Sequence, residues 1–107
     1  MFQVIYIREA HPADSARAAG EWSKVNEPET LAKRIEVAKK CRDETKMGIP
    51  VAVDDMDDTA AMLYDGYPDR LYIVTPDGKV AYNGAKGPRG FKPDEMVKKL
   101  EAILAAE

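Results

Sequence analysis

The chain has 107 residues, 45% hydrophobic and 33% charged, which is enough for one domain with one core and too few for two. Sixteen basic against nineteen acidic residues give a net charge of −3, which argues against a phosphate backbone as partner, so no nucleic acid is expected. The single cysteine, Cys41, leaves no internal disulfide, CxxC or zinc ribbon; apolar runs broken by charge and the absence of a signal-peptide layout predict no membrane association and a cytoplasmic protein.

Phe2 to Ile7 is a short apolar run rich in β-branched and aromatic side chains, the pattern of an inner strand covered on both faces. Arg8 to Glu27 carries Pro12, Gly20 and an isolated Trp22 without sustained periodicity, and reads as a long loop. Pro28 suits a first helical position, and Leu31, Ile35, Ala38 and Cys41 keep helical spacing, predicting a helix over 28–46 that Gly48 and Pro50 stop. Val51 to Val53 form a second strand running into Asp54, Asp55, Asp57 and Asp58, of which Asp57 or Asp58 is expected to cap a short helix through Tyr64. Leu71 to Thr75 and Lys79 to Asn83 flank Pro76-Asp77-Gly78, a hairpin turn in which Gly78 takes the positive φ. Beyond the Gly84 to Gly90 loop, Pro93, Asp94 and Glu95 start a last helix whose Met96, Val97, Leu100, Ile103 and Leu104 form one apolar face. The order β-α-β-α-β-β-α predicts an α/β three-layer domain with a mixed sheet.

Among chemistry-bearing residues, His11 follows Glu9 just beyond the first strand, where ligands of open α/β sheets gather. Glu9 is placed to orient a ring nitrogen of His11, against the plain alternative of a loop histidine and a solvated charge. Cys41 has Lys39, Lys40 and Arg42 nearby but shares a stripe with Leu31, Ile35 and Ala38, so a buried, inert thiol is expected. The acidic run lacks the spacing and central glycine of a calcium loop, and no metal is expected. The Gly84 to Gly90 loop carries Lys86 and Arg89 and has the freedom to receive a carboxylate or phosphate, but it lacks the Gly-Lys-Ser/Thr ending of a P-loop.

Several of these segments occur together in a known order. Tyr6-Ile7-Arg8-Glu9-Ala10-His11-Pro12-Ala13-Asp14, Val53-Asp54-Asp55-Met56-Asp57, Pro68-Asp69-Arg70-Leu71-Tyr72-Ile73-Val74, Tyr82-Asn83-Gly84 and Gly87-Pro88-Arg89-Gly90-Phe91 resemble the iodothyronine deiodinase family along nearly the whole chain, and most of all its bacterial members. The resemblance implies a thioredoxin-like fold related to peroxiredoxins, and an oxidoreductase that removes iodine reductively with a cysteine or selenocysteine and needs no cofactor. It implies catalytic roles for His11 and Glu9 and substrate-binding roles for Lys86 and Arg70. Lys86 stands where the family has an arginine held to grip the substrate's carboxylate; a lysine keeps the charge and loses the planar fork.

The chain departs from the pattern in places. The family's second histidine falls near Pro28 and is missing, and Ser15 to Glu21 is inserted between Asp14 and Trp22. These differences argue against iodothyronine itself as the substrate. The nucleophile motif has no match, so the resemblance implies a truncated single domain lacking the central strand and first helix, and inactive on its own. Two half-sheets would then remain, to be closed either by 2–7 pairing antiparallel with 71–75, the favoured arrangement, or by a homodimer. The competing reading is a non-enzymatic module binding a small anionic aromatic ligand or a protein partner through His11, Arg70 and Lys86.

Overall fold

Among the described residues every strand is three or four residues long and pairs with the strand next to it in chain order. The computed structural model describes residues 1–14 and 25–107; Trp22 and the Ser15 to Glu21 insertion lie outside the described residues. Elements follow the order β1 (Val4–Tyr6), α1 (Leu31–Thr45), β2 (Val51–Val53), α2 (Thr59–Leu63), β3 (Tyr72–Val74), β4 (Val80–Asn83) and α3 (Pro93–Ala105). The protein is a mixed α/β chain with small sheets, and it divides into two compact units, Met1–Tyr64 and Asp65–Glu107.

In the first unit β1 and β2 run parallel with Val4 opposite Val51 and Tyr6 opposite Val53, joined through α1. Val51 and Val53 line a cleft with Ile35 and Ala38 of α1, so this sheet face is the one α1 covers. Ile5 and Ala52, one residue out of phase, point to the other face, where Ile5 is 42% exposed; the expected burial of this strand on both faces is corrected. The helix begins at Leu31, not Pro28, because the Thr30 hydroxyl accepts from the Lys33 amide at 3.2 Å and fixes the first turn. It ends at Lys46, whose left-handed backbone (φ 52) turns its N–H back onto the carbonyls of Arg42 and Asp43.

Along α1 the buried residues are Arg34 and Ala38. Cys41, expected on the buried stripe, is exposed and free: the residues of α1 that line the cleft with Val51 and Val53 are Ile35, Ala38, Lys39 and Arg42, and Cys41 lies to one side of them. Buried apolar side chains among the described residues are small, Ala38 and Ala61 with Pro12 and Pro28.

In the second unit β3 and β4 form an antiparallel hairpin with Tyr72 opposite Asn83 and a register shift after Ile73. Gly78 adopts φ 82 and donates to the Thr75 carbonyl at 2.8 Å, while the Asp77 carboxylate accepts from the Thr75 hydroxyl. α3 starts on Pro93 with Asp94 and Glu95 in its first turn, as its sequence predicts, and packs on β3. Met96, Leu100 and Ile103 are half-buried; Val97 and Leu104 at the margins of the stripe are exposed.

The favoured closure of 2–7 onto 71–75 does not occur: the strands make two separate two-stranded sheets. β3 and β4 close through a tight turn, whereas β1 and β2 are joined through α1, the crossover that a parallel pair requires. Among the described residues no helix is long and apolar enough to cross a membrane.

Candidate functional site

β1 and β2 are parallel, so the loops that follow them leave the sheet at the same end, and this end holds a connected set of polar side chains. Glu9, half-buried after β1, accepts a hydrogen bond from the Tyr6 hydroxyl on Oε1. Its own backbone N–H donates to Glu27 Oε2 at 3.0 Å. Glu27 Oε1 lies 3.4 Å from Arg34 Nη2, and the Arg34 side chain is only 2% exposed. From there Arg34 Nη1 donates to the Asp55 carbonyl at 2.6 Å, and Nη2 is 3.2 Å from Asp58 Oδ1. His11 follows at an exposed position.

Ala13 N–H donates to the Val25 carbonyl at 2.8 Å and Glu27 N–H to Asp14 Oδ1 at 3.1 Å. Burial of its carboxyl, with a smaller contribution from the Glu27 charge, pushes the Glu9 pKa above the ordinary glutamate value. The folded chain therefore holds the Glu9 proton more tightly than the unfolded chain does. The stabilisation from this group is complete below the unfolded carboxyl pKa and is lost as pH rises through the higher folded value. Glu9→Gln, neutral at every pH and still an acceptor for Tyr6, is expected to be more stable than the parent at pH 7 and no more stable at pH 3. Urea unfolding at the two pH values checks this, and an equal gap at both would reject it.

The acidic run after β2 serves the fold. Asp54, 4% exposed, accepts from the Ala60 and Ala61 amides at 2.8 and 3.0 Å, and Asp55 accepts from the Thr59 amide and hydroxyl at 2.9 and 2.6 Å. The Thr59 contacts, the hydroxyl foremost, hold the Asp55 pKa below its usual value. The expected capping by Asp57 or Asp58 is corrected: Asp58 occupies the cap position with φ 57 but makes no capping bond through its side chain, which turns to Arg34 instead. Among the described residues no group of His, Cys, Asp or Glu is gathered so as to hold a metal ion.

In the second unit Arg70 and Lys86 are brought together on one carboxylate. Lys86 Nζ is 3.0 Å from Asp65 Oδ1 and Arg70 Nη1 is 3.4 Å from Asp65 Oδ2, while Arg70 Nε donates to the Gly84 carbonyl at 2.6 Å and its guanidinium lies 5.5 Å from the centre of the Tyr72 ring. Asp65 thus lies between the two cations. The Gly84 to Gly90 loop is closed by backbone contacts from Gly84 to Leu71 and from Gly87 to Asp69, both accepted by carbonyl oxygens. A side chain at Gly87 would meet the Asp69 carboxylate, which would have to swing aside to admit it.

Sequence reasoning reached Glu9, His11, Arg70 and Lys86 and missed Glu27, Arg34 and Asp65. Arg34 had a signal: it stands three residues after Leu31 and four before Ala38, on the apolar stripe itself, where a buried arginine needs acidic partners. Asp65 and Glu27 had none, since only the fold brings them to their partners.

The sequence model of the family described as Iodothyronine deiodinase matches residues 1–104. The chain is 37% identical to the type I iodothyronine deiodinase of Xenopus laevis, over 94% of this chain and 38% of that protein. It is 35% identical to the thyroxine 5-deiodinase of Gallus gallus, over 89% of this chain and 36% of that one, and 36% identical to the type II iodothyronine deiodinase of Petromyzon marinus, over 98% and 36%. The chain spans little more than a third of the length of these relatives. The relatives it matches are vertebrate proteins, which corrects the expected likeness to bacterial members.

Proposed function

The chain belongs to the iodothyronine deiodinase family, and from that premise we propose that it is the deiodinase-like part of a thiol- or selenol-dependent oxidoreductase of thioredoxin-like fold, without reductive turnover by itself. In this reading Glu9 and His11 supply the acid/base pair. Lys86 and Arg70 take the carboxylate of a small-molecule substrate that displaces Asp65. Replacement of a carbon–iodine bond by carbon–hydrogen needs two electrons at the carbon and one proton. A carboxyl whose pKa lies above the ordinary glutamate value holds that proton to higher pH than a solvated glutamate does. A cytoplasmic setting belongs to the same reading.

The observation that carries the inactivity of the chain alone is the place of its one thiol. Arg34 marks the level along α1 at which Glu27 meets Glu9, and Cys41 lies seven residues further, about 10 Å along the helix axis at 1.5 Å per residue. A nucleophile must come within hydrogen-bond reach of its acid/base partner, and Cys41 is not so placed. The 107-residue protein, incubated with dithiothreitol and either an iodophenol or a peroxide, is expected to give no turnover above buffer. Turnover that disappears in Cys41→Ser would overturn the reading.

A further inference from the structure

We propose that Glu27, anchored by the buried Arg34, is a positioning residue that fixes the Glu9 turn at the carboxyl end of β1; the proposal rests on the reading of Glu9 as the acid of the site. Both Glu27 carboxylate oxygens are committed outward from its own segment: Oε2 receives the Glu9 N–H at 3.0 Å, and Oε1 faces Arg34 Nη2 at 3.4 Å. Neither is spent on capping α1, because the Thr30 hydroxyl performs that task. Arg34 in turn is fixed to the loop after β2 through the Asp55 carbonyl and the Asp58 carboxylate, so Glu27 ties the turn after β1 to the loop after β2.

A clamp that only had to receive the Glu9 amide would be served by a neutral oxygen from asparagine, glutamine or serine. A carboxylate in that place lies close to a second carboxyl, a like-charge approach that disfavours ionisation of one of the two and separates their titrations. Tyr6 from β1 and Glu27 touch Glu9 directly, Arg8 and His11 flank it in sequence, Asp14 and Arg34 contact Glu27, and Asp55 and Asp58 after β2 contact Arg34. Of the charges among these, Glu27 is the one that pushes Glu9 upward, which agrees with the contact geometry.

The test follows the isotope-labelled 107-residue protein by NMR and reads two quantities at Glu9. In Glu27→Ala the Glu9 amide should exchange with solvent about tenfold faster, the loss of one hydrogen bond to a charged acceptor, while the Asp54 amide that donates to the Tyr6 carbonyl keeps its rate. In Glu27→Gln an acceptor is retained, so Glu9 amide protection should return to the parent level, but the Glu9 carboxyl should titrate at lower pH than in the parent. An unchanged Glu9 amide rate in the alanine variant, or an unchanged Glu9 titration in the glutamine variant, overturns the proposal. So does loss of protection spread equally over β1 and β2 in both variants, which would mark a purely structural residue. No readout depends on turnover, so failure of the reductase reading in its own assay and failure of this proposal are told apart.

Discussion

Arg34→Ala should cost the Met1–Tyr64 unit about 3–5 kcal/mol, the usual penalty for removing one partner of a buried charge cluster. Few other single changes in this chain can remove as much. The guanidinium bridges Glu27, Asp58 and the carbonyls of Asp54 and Asp55, and it fills space beside Ala38 in a unit with very little buried apolar surface. Truncation leaves a cavity, two carboxylates without their cation, and backbone carbonyls without a donor. Glu27 and Asp58 are partly open to solvent, which places the loss toward the lower end of the range. Arg34→Lys keeps the charge but cannot span carbonyl and carboxylate at once, and should lie between parent and alanine variant. Denaturant unfolding followed by far-ultraviolet circular dichroism measures both; a loss below ~1 kcal/mol in the alanine variant would show the cluster to be ornamental.

Asp54→Ala should be the second most damaging change, lowering stability by about 2–4 kcal/mol through the loss of charge-assisted bonds from a buried carboxylate to backbone amides. Asp54 collects the amides of Asp55, Ala60 and Ala61, and it is nearly inaccessible to water. α2 has five residues, far too few to persist by its own helical bonds, so it depends on these acceptors at its first turn. Amide exchange of Met62 and Tyr64, which donate back to Asp58 and Ala60 inside α2, should rise in Asp54→Ala while the Val4 amide bonded to Pro50 keeps its protection. Equal loosening of both would place the effect on the whole unit instead. Because Arg34 also holds the Asp54 and Asp55 carbonyls, the two substitutions share partners and the double variant should fall short of their sum.

Much of the architecture was legible before any coordinates. The seven elements and their order follow from local signals: a β-branched run, a Pro–Asp–Glu helix start, and a Pro-Asp-Gly turn whose glycine takes φ 82. The motif residues Glu9 and His11 also announced themselves at the end of a strand. What local signals failed to give are matters of competition between nearby groups. Thr30 outbid Pro28 as the start of α1 because a hydroxyl can receive an amide and a proline ring cannot. Asp54 and Asp55 took the amides of α2 because Asp58 was drawn to a guanidinium twenty-four residues earlier in the chain, at Arg34. Cys41 kept helical spacing with the stripe and is nevertheless exposed, because the side of α1 turned to β2 carries Ile35, Ala38, Lys39 and Arg42, and Cys41 falls outside it.

The sequence by itself determined the class, the element order and the family, since these rest on periodicity, turn chemistry and motif spacing, all carried within short stretches of chain. Tertiary structure alone decided that the strands stay in two sheets, that Asp65 stands between Lys86 and Arg70, and that Glu27 joins Glu9 to a buried Arg34. Those facts join residues from 5 to 47 positions apart or depend on which of several carboxylates meets a cation. Such choices are set by the balance of desolvation against pairing in three dimensions, a balance no local pattern encodes.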